Sequence, residues 1–408
     1  MNHKSTRVRL AALAGAAVLA LSACGQGGGG SDALVIGSLL PQTGSLAFLG
    51  PPEIAGVDLA IKEINEAGGV LGNDVKVEHA DSSDADNAQV SQQSVTELKS
   101  KGVHAIIGAA SSAVTRLVVD DITNSEILQV SPANTATDLS GKHPFFFRTA
   151  PSDLLQGAAL GNLMLGDGHS NIGVLVFNED YGTSLRDVLK STVEAAGATI
   201  TYGNPGEEFD PQSSSFADPV TAVLATNPDA IAVIAFDQTK TIVRELVSRG
   251  FSGADLYFVD GNLSDYSADF EAGTLEGAQG TLPGAFPDEA FQARLKGVNP
   301  DLADFSYAAE SYDAVMLVAL AAVKAESVVG KDIQAQVAAV SGANGGESCT
   351  GFKECADLIK DGKEIDYDAK SGAGPFNENN DPSSAFIGIY QYNNDNTYTW
   401  IKAVEGEL

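Results

Sequence analysis

The stretch from residue 34 to residue 79, LVIGSLLPQTGSLAFLGPPEIAGVDLAIKEINEAGGVLGNDVKVEH, contains the pattern that decides the fold. Short apolar runs at residues 34–39 and 75–79 have the length and composition of β-strands. Between them, apolar residues recur at helical spacing from Ile54 to Ile64. That pattern ends at Gly68 and Gly69, and glycine provides the positive φ that a helix end requires. The stretch therefore predicts a strand–helix–strand unit.

The same alternation of strands and helices continues almost to the end of the chain. Residues 231–235 are apolar on both faces, as expected where helices cover both sides of a parallel sheet. The alternation predicts doubly wound α/β lobes, in which ligands bind at the carboxyl ends of the strands. Further predicted strands are residues 105–108, 127–130, 172–177, 198–202, 230–235 and 256–259, followed by an antiparallel hairpin of residues 385–392 and 398–404.

The pattern lasts too long for a single sheet, so the chain is expected to form two lobes. Crossings between the lobes are predicted near residues 144–151, 281–287 and 371–376. Three crossings form a hinge over a cleft, an architecture that suits ligand capture by closure. The predicted division is a first lobe of residues 33–149 and 284–371 and a second lobe of residues 150–283 and 372–408.

The N-terminus has the features of an export signal. Basic residues between Lys4 and Arg9 precede an apolar run from residue 10 to residue 20, so residues 1–23 are predicted to be a secretory signal peptide. The sequence Leu-Ser-Ala-Cys that ends at Cys24 resembles a bacterial lipobox, with Cys24 lipidated and residues 24–32 forming a Gly-rich tether. The alternative is ordinary cleavage that leaves Cys24 as a free thiol. The favoured prediction is an exported protein, anchored by lipid to the outer face of the cytoplasmic membrane.

Composition and motifs exclude several classes of function. The formal net charge of −30 gives no electrostatic footprint for nucleic acid or anionic lipid, and 44% hydrophobic residues exclude disorder. The histidines are scattered without metal spacing, and no nucleophile elbow, phosphate loop or dinucleotide fingerprint is present. We therefore expect no enzyme activity, no metal and no cofactor. In an exported protein, Cys349 and Cys355 predict a local disulfide, interpreted as a surface staple that stabilises by about 2 kcal/mol.

Several motifs occur together in a characteristic order. They are IGSLLPQTG at 36–44, AIKEINEAGGV at 60–70, IGAASS at 107–112, VSPANT at 130–135 and DYG at 180–182. In this order they resemble the type I periplasmic binding proteins, in the branched-chain amino-acid (Leu/Ile/Val) branch of ABC-transporter receptors. The tail, from Cys349 through Tyr367 to the sequence GPF at 374–376, resembles lipoprotein members of that family. The resemblance implies a monomer that captures a small molecule between two lobes and delivers it to a membrane permease.

Ser111 and Ser112 lie between an apolar strand and a helical pattern that begins near Val114. A helix N-terminus presents unpaired N–H groups and partial positive charge, which suits a ligand carboxylate. The alternative is that one serine only caps the helix. The family resemblance implies a ligand role for Ser112, with the Ala133 backbone and Thr135 completing a carboxylate clamp.

Asp260 follows a predicted strand and precedes Gly261, which places a carboxylate at a strand end that faces the cleft. A buried carboxylate is costly unless it is paired, and a ligand ammonium group would pair it. The alternative is an exposed aspartate in a turn. The resemblance implies that an acid at this position contacts the ammonium group of the ligand.

The side-chain pocket is expected to come from apolar and aromatic residues near the cleft, although most aromatic residues lie in cores. The candidate wall residues are Phe48, Leu49, Tyr181, Phe236 and Tyr307. Asp237 follows Phe236, and a second acid near the cleft would favour a polar or cationic ligand side chain.

The expected function is that of an amino-acid receptor, with a branched-chain ligand favoured. One alternative is a receptor of the same fold for an amide, a urea or an aromatic carboxylate. Those ligands lack an ammonium group, so Asp260 is the residue that discriminates between the two. A sensory ligand-binding module is a further alternative.

Overall fold

The computed structural model describes residues 33–408. The strands are β1 (Val35–Leu40), β2 (Lys76–Asp81), β3 (Ala105–Gly108), β4 (Leu128–Ser131), β5 (Phe146–Arg148), β6 (Asn171–Val176), β7 (Thr199–Tyr202), β8 (Ala230–Ile234), β9 (Leu256–Phe258), β10 (Gln279–Pro283), β11 (Glu347–Cys349), β12 (Ile365–Tyr367), β13 (Ser384–Tyr392) and β14 (Tyr398–Glu407). The α-helices are α1 (Gly50–Glu66), α2 (Ala88–Ser100), α3 (Ser112–Asn124), α4 (Asp153–Gly166), α5 (Asp180–Ala195), α6 (Ala217–Ala225), α7 (Thr239–Ser248), α8 (Glu289–Lys296), α9 (Ala308–Ala325), α10 (Gly330–Val340) and α11 (Gly351–Lys360).

Two large sheets define two lobes. The first lobe is built on a five-stranded parallel sheet in the order β2-β1-β3-β4-β5. The second lobe is built on a seven-stranded sheet in the order β14-β13-β10-β9-β8-β6-β7. Its parallel part, β7-β6-β8-β9-β10, repeats the order of the first sheet, and the hairpin β13–β14 adds an antiparallel edge. The predicted doubly wound α/β fold is therefore confirmed. In both sheets the order reverses at the first strand, which is where such folds bind ligands.

Helix α9 is the central helix of the first lobe. Its residues from Ala308 to Val323 are all buried. It packs against α1 at Gly56, where an added Cβ would lie 2.2 Å from the carbonyl oxygen of Ala308. Because interiors are close-packed, only glycine lets the two helices approach this closely.

The chain passes between the two sheets three times, after β5, after β10 and after β12. The third passage comes later in the chain than the expected position near residues 371–376. Phe376 packs edge-to-face on Phe147 of the first lobe, with ring centroids 5.2 Å apart. Asp381 forms two hydrogen bonds to Arg148, at 2.6 and 2.9 Å. These contacts hold the chain against the first lobe as far as Asp381, shortly before β13 begins at Ser384.

Most predicted strands lie within a residue or two of the observed ones, and β3 coincides with its prediction. The late antiparallel hairpin is also confirmed. The chain crosses after Pro283, within the expected stretch 281–287, but the strand β10 that precedes this crossing was not predicted. β10 forms because it is hydrogen-bonded to β9 and β13. Its own sequence is a weak signal for a strand, since it contains Gly280 and ends at Pro283. Strands β5, β11 and β12 were not predicted.

The disulfide between Cys349 and Cys355 is present. The expectation of a surface staple was wrong, because the two cysteines are only 2% and 0% exposed. They belong to the hydrophobic core of the first lobe, where α11 packs against α9.

The predicted signal peptide at residues 1–23, the predicted lipidation site Cys24 and the tether as far as residue 32 lie outside the described residues. Within residues 33–408, none of the helices has both the length and the apolar character needed to cross a membrane.

Candidate functional site

A small cavity, here named the cleft cavity, lies between the two lobes. It has about 20 Å³ of room, whereas a single water needs about 10–15 Å³ by the same kind of measure. The lobes are therefore nearly closed on each other, and a larger ligand can enter only when they separate. All predicted ligand-binding residues except Thr135 and Phe48 line this cavity. The lining residues are Leu46, Leu49, Ala110, Ser111, Ser112, Ala133, Tyr181, Phe236, Asp260, Gly261 and Tyr307.

The N-terminus of α3 faces the cleft cavity from the first lobe. Ser111 is the N-cap residue, and its hydroxyl accepts a hydrogen bond from the Val114 N–H at 3.3 Å. Ser112 is the first helical residue, and its hydroxyl accepts one from the Ala136 N–H at 3.4 Å. Ser111 therefore has the capping role that was considered from the sequence, and Ser112 lies in the cavity wall beside the helix N-terminus. This end of α3 can receive a carboxylate.

The loop after β4 brings Ala133 and Thr135 to the same side of the cleft. The Ser131 hydroxyl donates to the Ala109 carbonyl at 2.7 Å and accepts from the Ala133 N–H at 3.4 Å, which fixes the loop against β3. The Thr135 carbonyl accepts from the Asp153 N–H at 2.7 Å. The Thr135 hydroxyl is buried beside the Asp153 carboxylate. Thr135 therefore lies behind the cavity wall, next to the start of α4.

Asp260 lies two residues after the end of β9, and three neutral donors surround its carboxylate. Its Oδ1 accepts from the Tyr181 hydroxyl at 2.6 Å and from Gln156 Nε2 at 2.8 Å. Its Oδ2 accepts from the Tyr307 hydroxyl at 2.7 Å. The residue is 5% exposed, so the alternative of an exposed turn aspartate was wrong.

Burial raises the pKa of Asp260, although the hydrogen bonds from Tyr181, Tyr307 and Gln156 oppose the shift. Burial, followed by the charge of Asp260, raises the pKa of both tyrosines well above its usual value. The two phenols therefore stay protonated and donate. Within residues 33–408, Asp260 forms no ion pair with a basic side chain. The site holds a buried carboxylate that hydrogen bonds support but no cation neutralises, and such a group attracts one.

Stacked aromatic rings form the wall of the cavity next to Asp260. The rings of Tyr181 and Phe236 stack with centroids 5.6 Å apart, and Phe177 packs edge-to-face on Phe236 at 4.8 Å. A Cβ at Gly261 would lie 2.8 Å from the Phe236 ring, so glycine after Asp260 makes room for it. The wall is apolar and rigid.

Leu49 lies opposite, at the end of the short 3₁₀ helix Ala47–Leu49, and it is 2% exposed. Phe48 packs against the hydrophobic core of the second lobe but is not among the cavity-lining residues.

Asp237 does not face the cleft cavity. Its side chain is 64% exposed and forms an ion pair with Lys240 at 2.9 Å. The expectation of a second acid near the cleft at this position was therefore wrong. Because Asp237 lies in the loop just before α7, its side chain can reach Lys240 in the first turn of that helix and also water.

Two residues of α4 near Asp260, Gln156 and Asp153, were not predicted from the sequence to belong to the site. Gln156 donates to Asp260 and also to the Thr281 carbonyl of β10 at 3.2 Å. Asp153 is fully buried, and burial raises its pKa to about 7, with the Thr135 hydroxyl opposing the shift and the charge of Asp260 adding to it. The sequence signal that could have identified them is the presence of polar residues in an otherwise apolar helix, DLLQGAALGNLMLG.

Polar contacts also join the lobes at the rim of the cleft. Arg116 of α3 contacts Asp138 in its own lobe and Asp180 at the start of α5 in the other. The hydroxyl of Ser184 on α5 accepts from the Thr137 N–H at 3.0 Å. These contacts belong to the closed arrangement of the lobes.

Comparison with known proteins identifies the family. The family model described as periplasmic binding protein matches residues 33–357. The chain is 27% identical over 355 residues to the chemotactic signal transduction system substrate-binding protein BasB of Halobacterium salinarum, and the alignment covers 83% of this chain and 82% of that protein.

Two solved structures share the fold. The branched-chain amino acid transporter substrate binding protein LivJ of Streptococcus pneumoniae, in complex with isoleucine, has a TM-score of 0.73 and 20% identity, covering 92% of this chain and 100% of that one. A solute binding protein of an ABC transporter from Rhodopseudomonas palustris, in complex with p-hydroxybenzoic acid, has a TM-score of 0.72 and 14% identity, covering 92% and 98%. The match to the family model over most of the described chain, together with the two doubly wound lobes, shows that this chain belongs to the periplasmic binding protein family.

Proposed function

We propose that this chain is the extracytoplasmic solute-binding protein of an ABC importer, and that it binds an amino acid with a branched-chain side chain in the cleft cavity. The observation that carries the proposal is Asp260, a buried carboxylate without a cation partner in the described chain. It lies across a small cavity from the N-terminus of α3. One negative group and one anion-binding end, facing each other, match the two charges of a zwitterion.

The roles of the residues follow from this match. The ligand carboxylate is received by Ser112 and the Ala133 backbone, with Thr135 behind them. The ammonium group pairs with Asp260, and the ligand side chain lies against Leu49, Phe236 and Tyr181. Tyr307 contacts the ligand from the first lobe.

The relatives agree with a binding role but differ in ligand. LivJ of Streptococcus pneumoniae was solved with isoleucine, which has an ammonium group. The protein from Rhodopseudomonas palustris was solved with p-hydroxybenzoic acid, which has none. Asp260 favours an amino acid as the ligand of this chain, because an aromatic carboxylate has no ammonium group and would leave the buried aspartate unpaired. BasB belongs to a chemotactic system, so a sensory role is the second candidate function.

In the proposed mechanism, ligand docks in the open form through its carboxylate, and the second lobe then closes over it. A ligand shifts the open–closed equilibrium only by its differential affinity for the closed state. The contacts to Asp260 and Tyr181, which both belong to the second lobe, would be completed only on closure, so they would supply that difference. The closed form then presents both lobes to the permease, and no bond of the ligand changes.

We further propose that the protein acts as a monomer, exported and anchored by lipid on Cys24 at the outer face of the cytoplasmic membrane. The proposed lobes are residues 33–149 with 284–371 and residues 150–283 with 372–408. The contacts of Phe376 and Asp381 with the first lobe support moving the last boundary beyond Asp381.

The test is isothermal titration of the protein beginning at Ser31 with leucine, isoleucine and valine, their amides, urea and benzoate. We expect the branched-chain amino acids to bind and Asp260→Asn to weaken that binding by about a hundredfold or more, because breaking a buried charge pair costs about 3–5 kcal/mol. Asp237→Asn is the matched control, since it removes an acid outside the cavity. Binding confined to compounds without an ammonium group would contradict the proposed ligand class.

A further inference from the structure

A second and larger cavity, here named the hinge cavity, lies beside the second crossing between the lobes. It has about 360 Å³ of room, which is within the range of small-molecule sites. Its walls come from the crossing after β10, the loop before α9 and the hairpin β13–β14. Tyr307 lines both this cavity and the cleft cavity, so the tyrosine ring separates the two.

Glu310, in the first turn of α9, is the most unusual group in the hinge cavity. It is 3% exposed, and its Oε1 has no hydrogen-bond partner among the described residues. Burial, with a smaller contribution from the charge of Asp313, raises its pKa well above the usual value. An unpaired buried acceptor costs about 1–3 kcal/mol, and more if it is charged. Nothing in the cleft cavity uses this carboxylate.

The crossing segment is shaped around the Glu310 carboxylate. Gly284 has a φ of +95°, and a Cβ at this position would lie 1.9 Å from Glu310 Oε1. Any other residue would therefore displace the carboxylate. Glu310 lines the hinge cavity together with Pro283 and Ala285, the two neighbours of this glycine.

The charges around the hinge cavity are negative. Asp304 lines it and accepts from the N–H and hydroxyl of Ser306 at 2.8 and 2.7 Å, and Asp265 lies at its rim. The lining residues include no lysine or arginine. Of the nearby basic residues, Lys296 lies over the Phe305 ring at 5.4 Å, and Arg294 is paired with Glu63 at 2.7 Å. The cavity therefore favours a cation over an anion.

Aromatic rings form the rest of the wall. Tyr390 and Tyr398 pack edge-to-face with centroids 5.6 Å apart, and Phe286 lies 6.4 Å from Tyr390. Aromatic faces attract cations and also accept apolar groups. The negative charge of Glu310 and Asp304 contributes to raising the pKa of Tyr390, after burial, so this ring lies within the field of both acids.

We propose that the hinge cavity is a second binding site, for a small organic ammonium cation that lacks a carboxylate. Its N–H group donates to the Glu310 carboxylate, and its hydrocarbon part packs against Tyr390 and Phe286. Such a ligand has no group for the helix N-terminus at Ser112, so it differs in class from the zwitterion proposed for the cleft cavity.

The test is a titration of the purified full-length protein with 2-phenylethylammonium and, as the neutral analogue, 2-phenylethanol. Trp400 is the single tryptophan of the chain, and its ring lies 5.7 Å from Phe286, so its fluorescence reports occupancy. We expect the ammonium to bind at least tenfold more tightly than the alcohol. Glu310→Gln should remove this preference, and Asp260→Asn should leave it unchanged.

A second variant keeps the proposal testable if Glu310→Gln fails to fold. Ala303→Phe, at an exposed position of the cavity wall, should weaken the binding of both probes by filling the entrance. Equal binding of the two probes, or unchanged ammonium binding in Glu310→Gln, would overturn the proposal. Loss of ammonium binding in Asp260→Asn would place the cation in the cleft cavity and also overturn it. Binding of branched-chain amino acids is measured separately, so it tests the main proposal independently.

Discussion

The hydroxyl of Tyr307 donates to Asp260 Oδ2 across the cleft at 2.7 Å. Tyr307 immediately precedes α9 of the first lobe, and Asp260 follows β9 of the second. Tyr307 has a φ of 57°, a left-handed conformation that non-glycine residues seldom adopt away from turns and functional sites. One hydrogen bond at the cleft cavity therefore joins the lobes.

Replacing Tyr307 with phenylalanine should remove this bond and keep the ring. Asp260 would retain Tyr181 and Gln156, so we expect a loss in amino-acid affinity of about tenfold, since a hydrogen bond to a charged group contributes about 1.5–3 kcal/mol. Small-angle scattering without ligand should show more of the open form. Tyr367→Phe is the control, because Tyr367 also donates to a buried aspartate, Asp313, at 2.7 Å but lies within the first lobe. Equal effects of the two substitutions would contradict the role given to Tyr307.

Gln156 is a positioning residue that acts through Asp260. Gln156→Glu should place a second carboxylate against Asp260, so amino-acid affinity should fall at neutral pH and recover partly as the pH is lowered and the added acid takes a proton. Titration calorimetry at several pH values measures this profile. Gln279→Glu is the control, since Gln279 donates to Asp167 at 2.6 Å outside the cavity. A pH-independent loss would indicate only disturbed packing.

Asp153 should make stability depend on pH. Its pKa is raised from 3.8 to about 7 in the folded protein, so the folded state binds more protons than the unfolded state between these values. The free energy of unfolding should therefore fall as the pH rises through this window, by up to about 4 kcal/mol from this group. Asp153→Asn should lose that dependence, and denaturant unfolding at pH 5 and pH 8 compares the two proteins. Parallel pH profiles of variant and parent would contradict the assignment.

The ion pair between Arg148 and Asp381 should stabilise the packing of the third crossing segment. Arg148 is fully buried and Asp381 is 3% exposed, so Asp381→Ala would leave an unpaired buried charge. We expect a loss of about 3–5 kcal/mol in the free energy of unfolding. Asp357→Ala breaks the exposed pair with Lys353 and should change the free energy of unfolding little, because solvent screens this pair. Similar losses in both variants would count against this account.

Much of the fold could be predicted because its signals are local. The run of apolar residues in β3 and the helical spacing that ends at Gly68 depend only on neighbours along the chain. The strand β10 could not be predicted, because β9 and β13 supply its hydrogen bonds and both are distant in sequence. The same holds for Gln156, which lies 104 residues from the aspartate that it supports.

The sequence by itself determined the doubly wound architecture, the serines at the start of α3 and an acid at the end of β9, because strand ends and helix starts are encoded within a few residues. Only the tertiary structure decided which acids face a cavity. Asp260 is buried among two tyrosines and a glutamine, whereas Asp237 turns outward to Lys240. Tertiary structure also placed Glu310 beside Gly284. Burial and pairing depend on side chains brought together from distant parts of the chain, and those contacts set the charge that a ligand meets.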